Sequence, residues 1–134
     1  MSMYSKDMLI GILLASARPE IQIIRDDNSN IGYRVRLKVI IRGKEKFLKA
    51  IKRSLLQHEI TSSLALEESK ARPKPILRIG GIKNIYKLNG LIDIGVWDRN
   101  NLWPEFREAI DIVSNGEHLT LEGLENLFAI KGLI

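Results

Sequence analysis

Between Tyr33 and Arg42 cations recur at every second position: Arg34, Arg36, Lys38 and Arg42, with Ile40 interrupting the row. Tyr33, Val35, Leu37, Val39 and Ile41 fill the positions between. A period of two places the two sets on opposite faces of a strand, with like-faced residues about 6–7 Å apart. That spacing roughly matches phosphates along a nucleic-acid strand, so several cations can act together on one polyanion.

The charge balance points the same way. Residues 1–90 carry 18 Lys/Arg against 8 Asp/Glu, a balance of +10. Residues 91–134 carry 3 against 8, a balance of −5, and the whole chain is +5. The first two thirds therefore have a stronger local field than the total implies, which suits a polyanionic partner. The plain alternative is an ordinary basic surface.

Other chemistries find little support. There are no cysteines, hence no disulfide framework and no thiolate metal site. His58 and His118 are far apart and lack ligand spacing. Ser54, Ser62 and Ser63 lie near His58, but no carboxylate is placed to orient a histidine for nucleophilic chemistry. No phosphate-cradling glycine loop or zinc spacing occurs.

At 134 residues the length fits one domain, 1–134, with a core that needs no staples. Apolar content of 45% and charge of 28% place it among soluble globular chains. The N-terminus reads as a helix start, not a signal peptide, and no membrane is expected. The expected compartment is cytoplasmic. Rich Ile, Leu, Lys, Arg and Glu without Cys fits a thermophile.

The elements that must position the cations can be read in order. Residues 9–17 form an apolar helix, with Ser5 as N-cap, Asp7 in the first turn, and Pro19 as its stop. Gly11 and Ala15, one turn apart, make a smooth strip where another helix can approach. The run, about a dozen residues, is too short to span a membrane. The alternative is an ordinary buried helix whose small residues face a sheet. Residues 20–25 alternate as a strand, 26–30 are a turn cluster, and 33–42 are the clearest strand. A helix over 44–57 buries Phe47, Leu48, Ile51 and Leu55 and turns its lysines to solvent. Strands over 60–67 and 76–79 form a second hairpin around the basic, proline-stiffened connection 68–75. A helix over 82–92 turns Ile82, Ile85, Tyr86, Leu88 and Leu91 inward. Residues 93–103 connect, with Trp97 and Trp103. Pro104 opens a helix running to about Val113, and Thr120 caps a last helix through about Ile130. The fold class is α+β: four antiparallel strands with helices on one face and extra C-terminal helices, the other face open and basic.

This order of elements, together with the helix 9–17, resembles the LAGLIDADG homing endonucleases of the single-motif type. Leu9, Gly11, Leu13 and Ala15 occupy the first, third, fifth and seventh motif positions, allowing Ile/Leu exchange. Trp103 to Ile110 and Glu117 to Leu124 look like the closing helices of single-motif members. The resemblance implies an αββαββα fold whose saddle-shaped sheet sits in the DNA major groove. It also implies homodimerisation through the motif helices, here by Met8, Gly11, Ile12 and Ala15. On that basis Arg34, Arg36, Lys38 and Arg78 are groove-facing readers with Arg42, Gln22 and Glu20 beside them. Arginine pairs bidentately with guanine and glutamine with adenine. Lys70, Arg72 and Lys74 on the hairpin tip hold phosphates, which position without specifying.

The motif departs from the family at its end. Ser16 occupies the acidic eighth position, Leu14 the sixth and Ala17 the closing glycine. A neutral hydroxyl lacks the charge that Mg²⁺ wants, and cleavage by this route needs metal bridging the reacting oxygens. The expectation is a catalytically silent, homodimeric duplex-DNA binder with no cofactor. The alternatives are an active endonuclease using Mg²⁺ with Glu20 as displaced ligand, or an RNA-binding splicing helper. Leu88 to Gly95 also mimics the motif, but too little chain follows for a second unit, so it reads as a helix end with a glycine cap.

Overall fold

A computed structural model describes residues 3–92 and 103–132. Helix α1 (Lys6–Ser16) begins where the Ser5 hydroxyl accepts from the Met8 amide at 3.3 Å. It buries Leu9, Ile10 and Leu13, and the chain passes straight into strand β1 (Ala17–Arg25). The helix therefore ends before Pro19 is reached, and Ala17, Arg18 and Pro19 already belong to the strand. Pro19 is tolerated there because β1 is an edge strand of the sheet, where a missing amide breaks no interior ladder.

Strand β2 (Tyr33–Arg42) pairs antiparallel with β1 from Ala17 opposite Ile41 to Arg25 opposite Tyr33. The turn between them closes through the Asp26 amide on the Gly32 carbonyl at 2.8 Å, with Gly32 at φ 84°. Helix α2 (Glu45–Leu56) lays Leu48, Ile51 and Leu55 against the sheet and leaves Lys46 and Lys49 exposed. Strands β3 (Ser63–Ala65) and β4 (Ile76–Gly80) complete the sheet in the order β1-β2-β4-β3, all antiparallel.

Strand β3 is three residues long, much shorter than the alternation over 60–67 implies. Its flanks are bonded elsewhere. The Thr61 amide donates to Asn84 Oδ1 at 3.1 Å, which ties that end to helix α3 (Ile82–Leu91). Leu66 is exposed.

Helix α3 buries Ile85, Leu88 and Leu91 in steps of three. Ile82 and Tyr86, expected inward, are exposed: Ile82 is in line with that stripe but is the first residue of the helix, and Tyr86 lies off it. Helix α4 (Trp103–Ser114) carries Pro104 in its first described turn. Its Trp103 and Phe106 rings meet edge to face at 5.9 Å in the core. Gly116, at φ 72°, turns the chain into a short 3₁₀ segment (Glu117–Leu119). Thr120 then caps helix α5 (Leu121–Lys131), accepting from the Gly123 amide at 3.1 Å. Leu121 points to solvent, whereas Leu124 and Leu127 are buried. One apolar cluster joins Leu37, Ile41 and Ile79 of the sheet to Leu9, Leu48, Ile85, Phe106 and Leu127, so helices α1 to α5 all meet the same core.

Candidate nucleic-acid interface

The register decides which side chains share the face away from the core. Residues directly opposite in an antiparallel pair lie on one face. Glu20 opposes Lys38, Gln22 opposes Arg36, and Ile24 opposes Arg34. Arg78 opposes Ile40 across the β2–β4 pair, and Arg42 opposes Ile76. Val35, Leu37, Val39 and Ile41 face the helices, so the period-two row of cations occupies the open face as the spacing requires. Arg34 and Arg36 are exposed; Glu20, Gln22, Lys38 and Arg78 are half-buried. Gln22 Oε1 is buried with no hydrogen-bond partner among the described residues.

Arg18 belongs to this face as well. It opposes Ile40 from the β1 side and is exposed. A strand start placed after Pro19 hides it; extending the alternation of Glu20 and Gln22 backwards finds it.

Arg42 is on the face but is held. Its Nε donates to Glu68 Oε1 at 2.7 Å and its Nη2 to Oε2 at 2.9 Å. The Arg42 guanidinium holds the Glu68 carboxyl below its ordinary value, by that hydrogen bond first and by charge second. Sequence reasoning passes over Glu68, whose only signal is an acid set in a basic connection. Lys70, Arg72 and Lys74 project from that connection and are exposed. The connection is ordered by a turn in which Ser69 and Arg72 exchange backbone hydrogen bonds of 3.1 and 3.2 Å.

The second candidate surface is the outer side of α1. Met8, Gly11 and Ala15 are exposed and Ile12 is half-buried. A methyl group added at Gly11 would meet nothing within 4 Å in this chain. The alternative of small residues buried against a sheet is therefore ruled out. Ser16, the last residue of α1, is exposed, and Leu14 and Ala17 are half-buried.

Among the described residues no three His, Cys, Asp or Glu are grouped to hold a metal ion. His118 is half-buried beside Val113 and Leu37, and burial alone holds its imidazole below the ordinary value. His58 lies in the turn that follows α2. Leu88 to Leu91 of the motif-like stretch belong to α3, whose C-cap is Ile92; Asp93, Gly95 and Trp97 lie outside the described residues. No described helix is long and apolar enough to cross a membrane.

No protein-family model and no curated protein sequence matches this chain. Its backbone matches solved structures closely. The homing endonuclease I-TnaI superposes with a TM-score of 0.78 at 19% identity, over 97% of this chain and 86% of that one. An archaeal intron-encoded homing endonuclease complexed with DNA gives 0.75 at 23% identity, over 93% of this chain and 78% of that one. The LAGLIDADG homing endonuclease I-LtrWI, bound to target DNA, gives 0.81 at 20% identity, over 100% of this chain but 45% of that one. The open four-stranded sheet, the helices that back it and the helix that precedes it give this chain the fold of the LAGLIDADG homing endonucleases.

Proposed function

We propose that this chain binds double-stranded DNA through the open face of its sheet, as a homodimer joined along α1, and leaves the DNA uncut. The observation that carries the reading is the run of cations Arg18, Arg34, Arg36, Lys38 and Arg78 on one face, continued by Lys70, Arg72 and Lys74. The DNA major groove, about 12 Å wide, admits a two-stranded ribbon such as the β1–β2 hairpin. Solved structures of the same fold carrying DNA add support.

The strip of exposed Met8, Gly11 and Ala15 with half-buried Ile12 supports the homodimer, since a two-fold axis through it would pair like with like.

The donor set at the end of α1 does not fit Mg²⁺. Ser16 offers one neutral hydroxyl there, where a hard divalent cation takes carboxylates. Two copies would bring two hydroxyls together, with no charge to hold a metal. A protein that occupies a DNA site without cutting it suits regulation of that site.

A second reading has one observation in its favour. Glu20, four residues past the end of α1, and Glu105 line the same surface hollow, with Pro19 and Lys131. Displaced carboxylates there would make the chain a nuclease.

Selection from a random duplex pool tests both. Enrichment of one sequence, left intact with Mg²⁺ or Mn²⁺, is the expected result. A pool that yields no enriched duplex contradicts the binding reading. Nicking that disappears in Glu20→Gln establishes the nuclease instead.

A further inference from the structure

Glu68 is a carboxylate set among the cations of the proposed interface, at the opposite side of the sheet from Glu20. Both oxygens of Glu68 are taken by Arg42, at 2.7 and 2.9 Å. Arg72 Nε lies 3.7 Å from Oε1. Arg78 Nη2 donates to the Glu68 backbone carbonyl at 3.5 Å. Arginines from β2, from the 66–75 connection and from β4 thus converge on one residue.

Glu68 also closes the connection. Its amide donates to the Lys74 carbonyl at 2.9 Å, and within that closure lies the Ser69–Arg72 turn, where the Ser69 hydroxyl accepts from the Arg72 amide at 3.1 Å. The tip that presents Lys70, Arg72 and Lys74 is therefore fixed relative to the open face through a two-point Arg–carboxylate pair. Such a pair imposes geometry as well as attraction.

We infer that Glu68 is a positioning residue that determines specificity: its carboxylate withholds Arg42 from the phosphate backbone and draws Arg72 into one orientation toward the duplex. The inference rests on the DNA-binding reading above. A free arginine at this place would add sequence-independent attraction, raising affinity for every duplex alike. A carboxylate at the edge of a phosphate-binding surface does the opposite. It repels phosphates that arrive out of register, so the wrong duplex loses more than the right one.

The test compares the native protein with Glu68→Gln on two duplexes, the one it selects and a random one of equal length. Glu68→Gln should bind the random duplex several-fold more tightly. Its affinity should fall more steeply with salt, the logarithmic slope gaining about one unit for the released Arg42. Its preference for the selected duplex should drop about tenfold. A purely structural residue would instead lower binding to both duplexes in proportion, with the slope unchanged, and that result overturns the inference while leaving the DNA reading intact. A native protein without salt-dependent duplex binding overturns both. If circular dichroism shows Glu68→Gln unfolded, Arg42→Lys decides, since lysine keeps the charge but holds the carboxylate at one point. A reduced preference in that variant supports the inference, and an unchanged preference overturns it.

Discussion

Arg36 and Lys70 are both exposed cations, yet in the proposed DNA complex their surroundings would give them different tasks. Arg36 is paired in register with Gln22 on a rigid two-stranded ribbon, where a planar guanidinium can be aimed at a base edge. Lys70 stands at the tip of a turn, where in the proposed complex a flexible ammonium would meet phosphates. Arg36→Ala is expected to weaken the selected duplex about tenfold and to relax preference at one base position. Lys70→Ala should weaken selected and random duplexes equally; binding isotherms on both duplexes separate the two. The Arg42–Glu68 pair adds a pH dependence. Arg42, with Arg72 and Arg78 also facing it, keeps the Glu68 carboxyl below the ordinary value of 4.5, so the folded state binds this proton less readily than the unfolded one. The stabilisation from the pair is therefore complete above pH 4.5 and is lost only as pH falls toward the lowered folded value. Thermal melts of native protein and Glu68→Gln should differ near neutral pH and converge in acid. At this scale the strand cations were legible because a two-residue period needs no tertiary information. Glu68 was not, since its partner lies 26 residues away and nothing local announces the pair.

Helix α1 shows what periodicity conveys and what it omits. The Ser5 cap and the buried row Leu9–Leu13 follow from residue types, and the structure has both. The helix end does not: Ser16 passes directly into an edge strand, because pairing of Ala17 with Ile41 outweighs the local continuation of an apolar helix. Strand β3 and the outward turn of Ile82 and Tyr86 were illegible for a similar reason, being set by side-chain bonds and coverage from distant elements. Two substitutions probe these elements. A Cβ at Gly11 meets no atom of its own chain within 4 Å and the position is exposed, so Gly11→Leu should not lower the melting temperature of the monomer. If α1 joins two copies, the same change should convert dimer to monomer in sedimentation. A native protein that sediments as monomer contradicts the α1 interface. Gly123 is the opposite case, for a Cβ there would run into the Glu117 carbonyl between the 3₁₀ segment and α5. Gly123→Ala should destabilise by about 1–3 kcal/mol, despite alanine's better helix propensity, as read from denaturant unfolding.

On the scale of the whole molecule, charge is polarised along with the fold. The open face is cationic, whereas α4, the 3₁₀ segment and α5 carry Glu105, Glu108, Asp111, Glu117, Glu122 and Glu125. A molecule with one basic face and an acidic end is turned by the field of a polyanion before contact, which favours approach with the sheet foremost. The sheet and helices α1 to α5 share one core, so the cations are presented by a packed scaffold. The central claim is that this face binds duplex DNA through its cations, and counterion release makes it measurable. Affinity for duplex DNA should fall linearly on logarithmic axes as salt rises, with a slope of several units, and Arg34→Ala should reduce that slope by about one. Affinity that does not change with salt, or a slope that Arg34→Ala leaves as it was, would contradict it.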